Sequence, residues 1–153
     1  MSAQHLVIGI DPGRTKCGLA VLTNAGQRVA IDVVPTAALA GRLQATAAGG
    51  DVAAICVGHA TTSDAVVEMC RERWPQIPLV VVDESNTTLE ARRRYYRDHP
   101  PRGLLRFVPR GLLVPSVPLD GYAALLIAER YLVQNERIRG PTPREPGLYK
   151  RRI

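Results

Sequence analysis

Hydrophobic runs separated by short turns open the chain and predict three β-strands. Apolar and β-branched positions mark strands at 5–11, 17–22 and 27–34. The turn pair Pro12-Gly13 ends the first run, and Asn24-Ala25-Gly26 separates the second run from the third. Connections this short join neighbouring antiparallel strands, so the three strands are predicted to form an antiparallel meander.

Helical and strand patterns alternate after this meander. Apolar residues recur at three- and four-residue spacing in four segments, and two further apolar runs are continuous. The predicted helices cover 35–50, 62–74, 87–99 and 116–133, and the predicted strands cover 52–57 and 79–82. Because the run at 79–82 is apolar throughout, it predicts a central strand covered by helices on both faces. Four prolines and two glycines make 100–115 a predicted long loop, and such loops in a small domain are often functional.

The order of these elements predicts an α/β fold. Three antiparallel strands, followed by alternating helices and strands, describe a mixed five-stranded sheet flanked by helices, in which the first strand lies beside the fourth. The length of 153 residues suits one domain with a hydrophobic core. The end of the chain is basic and rich in proline and cannot build a core. We therefore predict a domain over 1–136 and a flexible basic tail over 137–153.

Positive charge is concentrated in the second part of the chain. Residues 1–91 carry six Lys and Arg against nine Asp and Glu, a net charge of −3, whereas residues 92–153 carry 14 against five, a net charge of +9. Nearly all of the cations in the second part are arginines, which bind phosphate oxygens in bidentate fashion. This distribution predicts a nucleic-acid partner, and the alternative is a basic segment that only aids solubility.

The sequence predicts neither a membrane partner nor a disulfide framework. No apolar stretch approaches the roughly 18 to 20 residues of a membrane span, and the N-terminus lacks a basic region followed by a long apolar segment. The three cysteines, Cys17, Cys56 and Cys70, have no metal-ligand spacing. We therefore expect a cytoplasmic protein whose cysteines are reduced and buried.

Three acidic residues are predicted to converge at one edge of the sheet. Asp11 ends the first strand, Glu84 follows the fifth strand, and Asp120 lies in the first turn of the last helix. The carboxyl ends of the parallel strands meet at one edge, and a helix packed across the sheet brings Asp120 there. Three close carboxylates repel one another unless cations compensate, and hard oxygen ligands favour Mg²⁺ or Mn²⁺. The acids thus predict a catalytic two-metal site for phosphodiester hydrolysis, whereas an isolated Asp-Pro-Gly would only cap a turn.

Cationic and aromatic residues accompany the predicted acidic edge. Arginines are interleaved with Tyr95 and Tyr96 in the helix at 87–99 and continue into the loop that follows. This pattern predicts a surface that follows a nucleic-acid backbone, and the alternative is a solvated helix face. The hairpin after Asp11 adds candidates for contacts with the scissile phosphate. The predicted nucleic-acid-binding residues are Arg14, Thr15, Lys16, Arg92, Arg93, Arg97, Arg102, Arg106 and Arg110.

Three blocks of the sequence resemble the YqgF family, also called RuvX, which belongs with RuvC resolvase in the RNase H-like superfamily. The blocks are Gly9-Ile10-Asp11-Pro12-Gly13-Arg14-Thr15-Lys16-Cys17-Gly18-Leu19-Ala20-Val21, Val82-Asp83-Glu84-Ser85-Asn86-Thr87-Thr88-Leu89-Glu90-Ala91 and Asp120-Gly121-Tyr122-Ala123-Ala124. The resemblance implies an RNase H-like fold and a metal-dependent endonuclease that acts on branched DNA such as Holliday junctions. It also places Asp11, Glu84 and Asp120 on the family's acidic metal-binding positions. Because the family is also described as a pre-16S rRNA nuclease, maturation of the 5′ end of precursor 16S rRNA is the alternative function.

Two other classes of protein share part of this pattern. Asp-x-Gly-x-Thr in a first hairpin is also the phosphate loop of ATPases of the actin and sugar-kinase type, but that fold needs two such domains and more than twice this length. An RNA-binding ribosome-maturation factor with weak catalysis would keep the same acids. For a resolvase, which cuts two strands symmetrically, we expect a two-fold homodimer with two equivalent sites.

Overall fold

The computed structural model describes residues 4–83, 87–109, 112–115 and 117–139, and for 137–139 it describes the backbone alone. The strands are β1 (His5–Asp11), β2 (Lys16–Thr23), β3 (Arg28–Pro35), β4 (Asp51–Gly58) and β5 (Leu79–Val82). The helices are α1 (Leu39–Gly49), α2 (Ser63–Arg73), α3 (Thr87–Asp98) and α4 (Asp120–Arg139). Short 3₁₀ helices cover Thr36–Ala38 and Gly103–Phe107.

The five strands form one mixed sheet in the order β3-β2-β1-β4-β5. β1 pairs antiparallel with β2, and β2 pairs antiparallel with β3, whereas β4 runs parallel to both of its neighbours, β1 and β5. This topology confirms the predicted α/β fold, the opening meander and the position of the first strand beside the fourth.

The position of β5 differs from the prediction. The apolar run at 79–82 predicts a central strand, but β5 lies at an edge of the sheet and pairs only with β4 among the described strands. Val81 is accordingly 46% exposed. A short apolar run shows that a strand forms, but the presence of a second neighbour depends on pairing with distant residues.

The sheet separates two apolar clusters. On one face, Ile8 and Ile10 of β1 pack in a cluster with Leu43 of α1 and Val66 of α2. On the other face, strand residues such as Val7 pack with apolar residues of α4. Because side chains alternate along a strand, β1 supplies neighbouring residues to opposite clusters. α3 in turn packs against α4.

Small residues let α4 lie directly on the strands. A Cβ atom at Gly9 of β1 would overlap the carbonyl oxygen of Ala124, and a Cβ atom at Gly18 of β2 would overlap the carbonyl oxygen of Asp120. Ala124 and Ala128 are fully buried at this contact. The close packing therefore places the first turn of α4 against the ends of β1 and β2.

Several element bounds also differ from prediction. The last helix is predicted over 116–133, but α4 begins at Asp120 and continues to Arg139. The helix predicted from 35 begins with the 3₁₀ helix Thr36–Ala38 before α1. All three cysteines are free and buried, as predicted. Within the part of the chain that the structure describes, every helix is too short or too polar to cross a bilayer.

Candidate functional site

Asp11 is the last residue of β1 and lies near the centre of one edge of the sheet. It is half-buried and pairs in register with Gly18 of β2. Gly9, two residues earlier, faces α4, and alternation along the strand places Asp11 on the same face. The carboxylate of Asp11 is therefore directed to the side of the sheet on which α4 begins.

Asp120 starts α4 at the same corner of the molecule. Its carbonyl oxygen lies directly over Gly18, the residue that pairs with Asp11. Its carboxylate oxygen Oδ2 lies 3.3 Å from Nζ of Lys16, in an ion pair whose two side chains are partly exposed. The fold thus brings the backbones of two of the three predicted acids to one corner, although they are far apart in the sequence.

The third predicted acid, Glu84, lies outside the described residues. β5 ends at the same edge as β1, because Ile10 pairs with Val57 and Val82 pairs with the next β4 residue, Gly58. The backbone N–H of His59 donates to the carbonyl oxygen of Val82 at 2.9 Å. Within the described residues, which do not include Glu84, no group of three or more His, Cys, Asp or Glu side chains lies close enough to hold a metal ion.

The turn after Asp11 is held in place by Thr36. The Thr36 hydroxyl donates to the carbonyl oxygen of Gly13 at 2.8 Å, and the Thr36 backbone N–H donates to the carbonyl oxygen of Thr15 at 2.9 Å. Arg14, Thr15 and Lys16 are all exposed on this turn. The predicted phosphate-binding residues therefore lie on a fixed hairpin next to Asp11, and sequence reasoning missed the residue that holds it.

The predicted cationic surface is present in part. Arg93 and Arg97 of α3 are exposed, as are Arg102 and Arg106 in the segment that follows, whereas Arg92 is half-buried. The remaining predicted cation, Arg110, lies outside the described residues.

The two tyrosines of α3 do not form an exposed stacking surface. Tyr96 is only 8% exposed. The ring of Tyr95 makes edge contacts with Tyr96 and with Tyr122 of α4, and it stacks on His99. The Tyr95 ring therefore joins α3 to α4, and the Tyr96 ring is too buried to stack on a base.

Ion pairs fasten α3 to α4 near the end of β5. Both terminal guanidinium nitrogens of Arg94, Nη1 and Nη2, donate to the carboxylate of Glu129, at 2.8 and 2.6 Å, and this hydrogen bonding raises the pKa of Arg94. In the opposite direction, Arg130 of α4 donates to Glu90 of α3 at 3.4 Å. Arg130 also donates to the carbonyl oxygen of Asp83 at 2.6 Å, so it contacts the chain directly after β5. No sequence motif indicated a role for Glu129 or Arg130.

A second cluster fastens the other end of α3. Oδ2 of Asp98 accepts hydrogen bonds from Arg28 of β3 at 2.5 Å and from the Tyr122 hydroxyl at 2.9 Å. The Arg28 hydrogen bond is the main reason that the pKa of Asp98 is lowered. Burial, and then the hydrogen bond to Asp98, raise the pKa of Tyr122. These contacts bring the end of α3 to the first turn of α4, beside Asp120.

Sequence comparison finds neither a matching protein-family model nor a matching curated protein. Among solved structures, the ROK family glucokinase from Streptomyces griseus, a sugar kinase, has a TM-score of 0.39 and 23% sequence identity. The similarity covers 59% of this chain and 36% of the glucokinase chain. A TM-score this low supports no conclusion about fold or function.

Two structures of RuvC from Thermus thermophilus are more similar. RuvC in complex with a Holliday junction substrate has a TM-score of 0.55 and 20% identity, and the similarity covers 88% of this chain and 95% of RuvC. A second RuvC structure has a TM-score of 0.50 and 19% identity with the same coverage of both chains. The mixed five-stranded sheet and its flanking helices therefore form the RNase H-like fold seen in RuvC.

Proposed function

We propose that this protein is a metal-dependent, structure-specific endonuclease that hydrolyses phosphodiesters in branched DNA. The observation that carries the proposal is the close contact of α4 with an RNase H-like sheet, which lays the backbone of Asp120 over Gly18, the residue paired with Asp11 at the end of β1. The RuvC structure with a similar fold was solved with a Holliday junction, which supports branched DNA as the substrate class.

The donor set at this corner fits a hard divalent cation. Carboxylate oxygens are the ligands that Mg²⁺ and Mn²⁺ prefer, and the ammonium group of Lys16 already pairs with Asp120 there. We assign Asp11, Glu84 and Asp120 as the metal-binding residues. Held by these residues, two such ions would supply Lewis acidity for the activation of a water and for stabilisation of the leaving oxygen in phosphodiester hydrolysis.

Cationic residues beside Asp11 and along α3 suit a polyanionic substrate. Exposed Arg14 and Thr15 on the hairpin, together with Lys16, lie beside Asp11 and would contact the scissile phosphate. The arginines of α3 and of the segment that follows would contact the backbone farther away. This larger proposed set contains Arg92, Arg93, Arg97, Arg102, Arg106 and Arg110.

The resemblance to the YqgF family is the basis for a finer proposal. The three sequence blocks contain all three acids, which supports membership of that family and makes precursor 16S rRNA the second candidate substrate. A two-fold homodimer would present two copies of the acidic corner to the two strands of a junction.

Cleavage of labelled substrates tests the proposal. The protein is incubated with a four-way junction, a matched duplex, single-stranded DNA and precursor 16S rRNA, each with Mn²⁺ or with EDTA. We expect Mn²⁺-dependent cutting of the junction. If none of the substrates is cut in the presence of Mn²⁺, the proposal is refuted.

Asp11→Asn is the decisive variant, because it removes a metal-binding oxygen and a negative charge. We expect cleavage to be lost while junction binding is unchanged or tighter. Glu72→Gln is the matched control, since Glu72 is an exposed acid near the end of α2. Equal Mn²⁺ uptake by the wild type and Asp11→Asn in calorimetry would contradict the metal assignment.

A further inference from the structure

The 3₁₀ helix Gly103–Phe107 exposes a group of large apolar side chains. Leu104 is 84% exposed, Leu105 57% and Phe107 72%. The guanidinium group of Arg106 lies over the Phe107 ring, 4.9 Å from its centroid. Single exposed apolar residues are ordinary, but several adjacent ones mark an interaction site. None of the roles assigned above uses this aromatic ring.

Both ends of the connecting segment 99–119 are tied to the corner that carries the acids. Asp98, just before the segment, accepts a hydrogen bond from Tyr122, just after it, at 2.9 Å. The rings of Tyr95 and Tyr122 are also in edge contact, with centroids 5.9 Å apart. Asp120 lies between the end of the segment and Tyr122. The exposed apolar group is therefore part of a loop that starts and ends beside the proposed metal site.

The charge of this segment favours a polyanionic partner. The sequence contains no Asp or Glu between His99 and Leu119, but it contains Arg102, Arg106 and Arg110. Arg102 and Arg106 are exposed next to the apolar group, and exposed arginines of α3 precede them. Unpaired nucleotides combine phosphates with flat apolar faces, and single-strand-binding proteins recognise them through arginines and aromatic rings together.

We propose that Phe107 stacks on an unpaired base of the nucleic-acid substrate. Arg106 covers one face of the ring and strengthens the contact by cation–π attraction, while the exposed remainder of the ring receives the base. Bases inside a duplex are already stacked on their neighbours, so this contact selects junctions and other substrates with opened bases. The inference rests on the proposed function, because it assumes a nucleic-acid substrate, and it names the feature of that substrate which the protein recognises.

Binding assays on three variants test the stacking contact. Affinities for a labelled four-way junction and a duplex of equal length are measured by fluorescence anisotropy in EDTA, so that the strands stay intact. Phe107→Leu keeps an apolar side chain but removes the ring, and we expect it to weaken junction binding by about fivefold or more while duplex binding changes by less than about twofold. Phe107→Trp keeps an aromatic ring and should bind the junction as the wild type does.

Leu104→Ala is the matched control, because it removes an even more exposed apolar side chain from the same 3₁₀ helix. We expect it to bind the junction within about twofold of the wild type. The Phe107→Trp variant adds a direct readout, since the chain has one other tryptophan, Trp74, which is buried. Junction binding should quench the fluorescence of the variant more than that of the wild type.

Three results would overturn the stacking contact. The first is equal junction binding by Phe107→Leu and the wild type. The second is an equal loss in Leu104→Ala, which would indicate general apolar docking. The third is that the wild type binds phosphatidylserine vesicles or self-associates, and that Phe107→Leu abolishes this binding or self-association. If the wild type binds no nucleic acid, the proposed function fails as well, whereas junction binding that is insensitive to Phe107→Leu refutes only the stacking contact.

Discussion

The two faces of the sheet hold their helices by different means. On the face that carries α1 and α2, large side chains such as Ile10 and Leu43 fill the space between strands and helices. On the face that carries α4, the helix backbone lies directly on Gly9 and Gly18, and ion pairs then fasten α3 onto α4. The first face therefore depends on side-chain volume, and the second adds close backbone approach and charge to an apolar cluster of its own.

This difference has a functional consequence. Large apolar side chains stabilise the fold without fixing any polar group, because the hydrophobic effect is non-directional. The glycine contacts, in contrast, set the position of Asp120 relative to Asp11. We therefore expect substitutions on the first face to reduce stability and substitutions at the glycines to reduce activity beyond their effect on stability.

Leu43→Ala should have the largest effect on stability. Leu43 is 1% exposed in the cluster between the sheet and α1, so its truncation removes buried apolar surface and leaves a cavity. We expect a loss of about 2 to 5 kcal/mol in the free energy of unfolding. Urea denaturation measures the loss, and cleavage per folded molecule should stay close to wild type. A specific loss of cleavage in the folded fraction would show that this face also shapes the site.

Gly18→Ala should reduce stability less than Leu43→Ala does, and it should reduce cleavage more. The added methyl group overlaps the carbonyl oxygen of Asp120, so the first turn of α4 must shift away from Asp11. We expect a destabilisation of about 1 to 3 kcal/mol, together with loss of most cleavage at saturating substrate. Gly41→Ala is the matched control, because a Cβ atom there meets only open space and alanine favours the helix by about 0.5 to 1 kcal/mol. Normal cleavage by Gly18→Ala would contradict the importance of this contact.

The sequence predicted where the strands form better than it predicted which strands pair with each other. The predicted bounds of β1 and β5 agree with the structure, because apolar runs bounded by turn residues are local signals. The edge position of β5 was missed because strand pairing depends on residues far apart in the sequence. The end of α4 was placed too early, although Gly140 and Pro141 are ordinary signals for a helix end.

The candidate site was also predictable only where local sequence signals determine the position of a residue. The positions of Asp11 and Asp120 were predictable because local sequence signals mark a strand end and a helix start, and sheet topology brings these to one edge, whereas their role in metal binding stays a prediction. Thr36 and Arg130 were not predictable, because their hydrogen bonds join side chains to backbone carbonyls of distant segments. Gly9 and Gly18 occur in the quoted sequence blocks, but their role as contacts for α4 requires knowledge of how that helix lies on the sheet.

The smallest expected effect is that of Asp98→Asn. Its dependence on pH distinguishes the charged contacts on the face of α4 from the apolar packing on the other face. Hydrogen bonds from Arg28 and Tyr122 lower the pKa of Asp98 in the folded protein, with Arg28 the larger cause. Its contribution to stability is therefore present above the ordinary aspartate pKa of about 3.9 and is lost as the pH falls through the lowered folded value. Because the side chain is 28% exposed, we expect Asp98→Asn to cost at most about 1 kcal/mol at pH 7.

Urea denaturation from pH 7 to pH 3 measures this dependence. The stability difference between the wild type and Asp98→Asn should shrink below about pH 4, because Asp98 then takes up a proton in the unfolded state while Arg28 keeps it ionised in the folded state. The difference caused by Leu43→Ala should stay constant over the same range, since it involves no titrating group. A pH-independent effect of Asp98→Asn would show that the hydrogen bonds of this side chain, and not its charge, hold the end of α3 against α4.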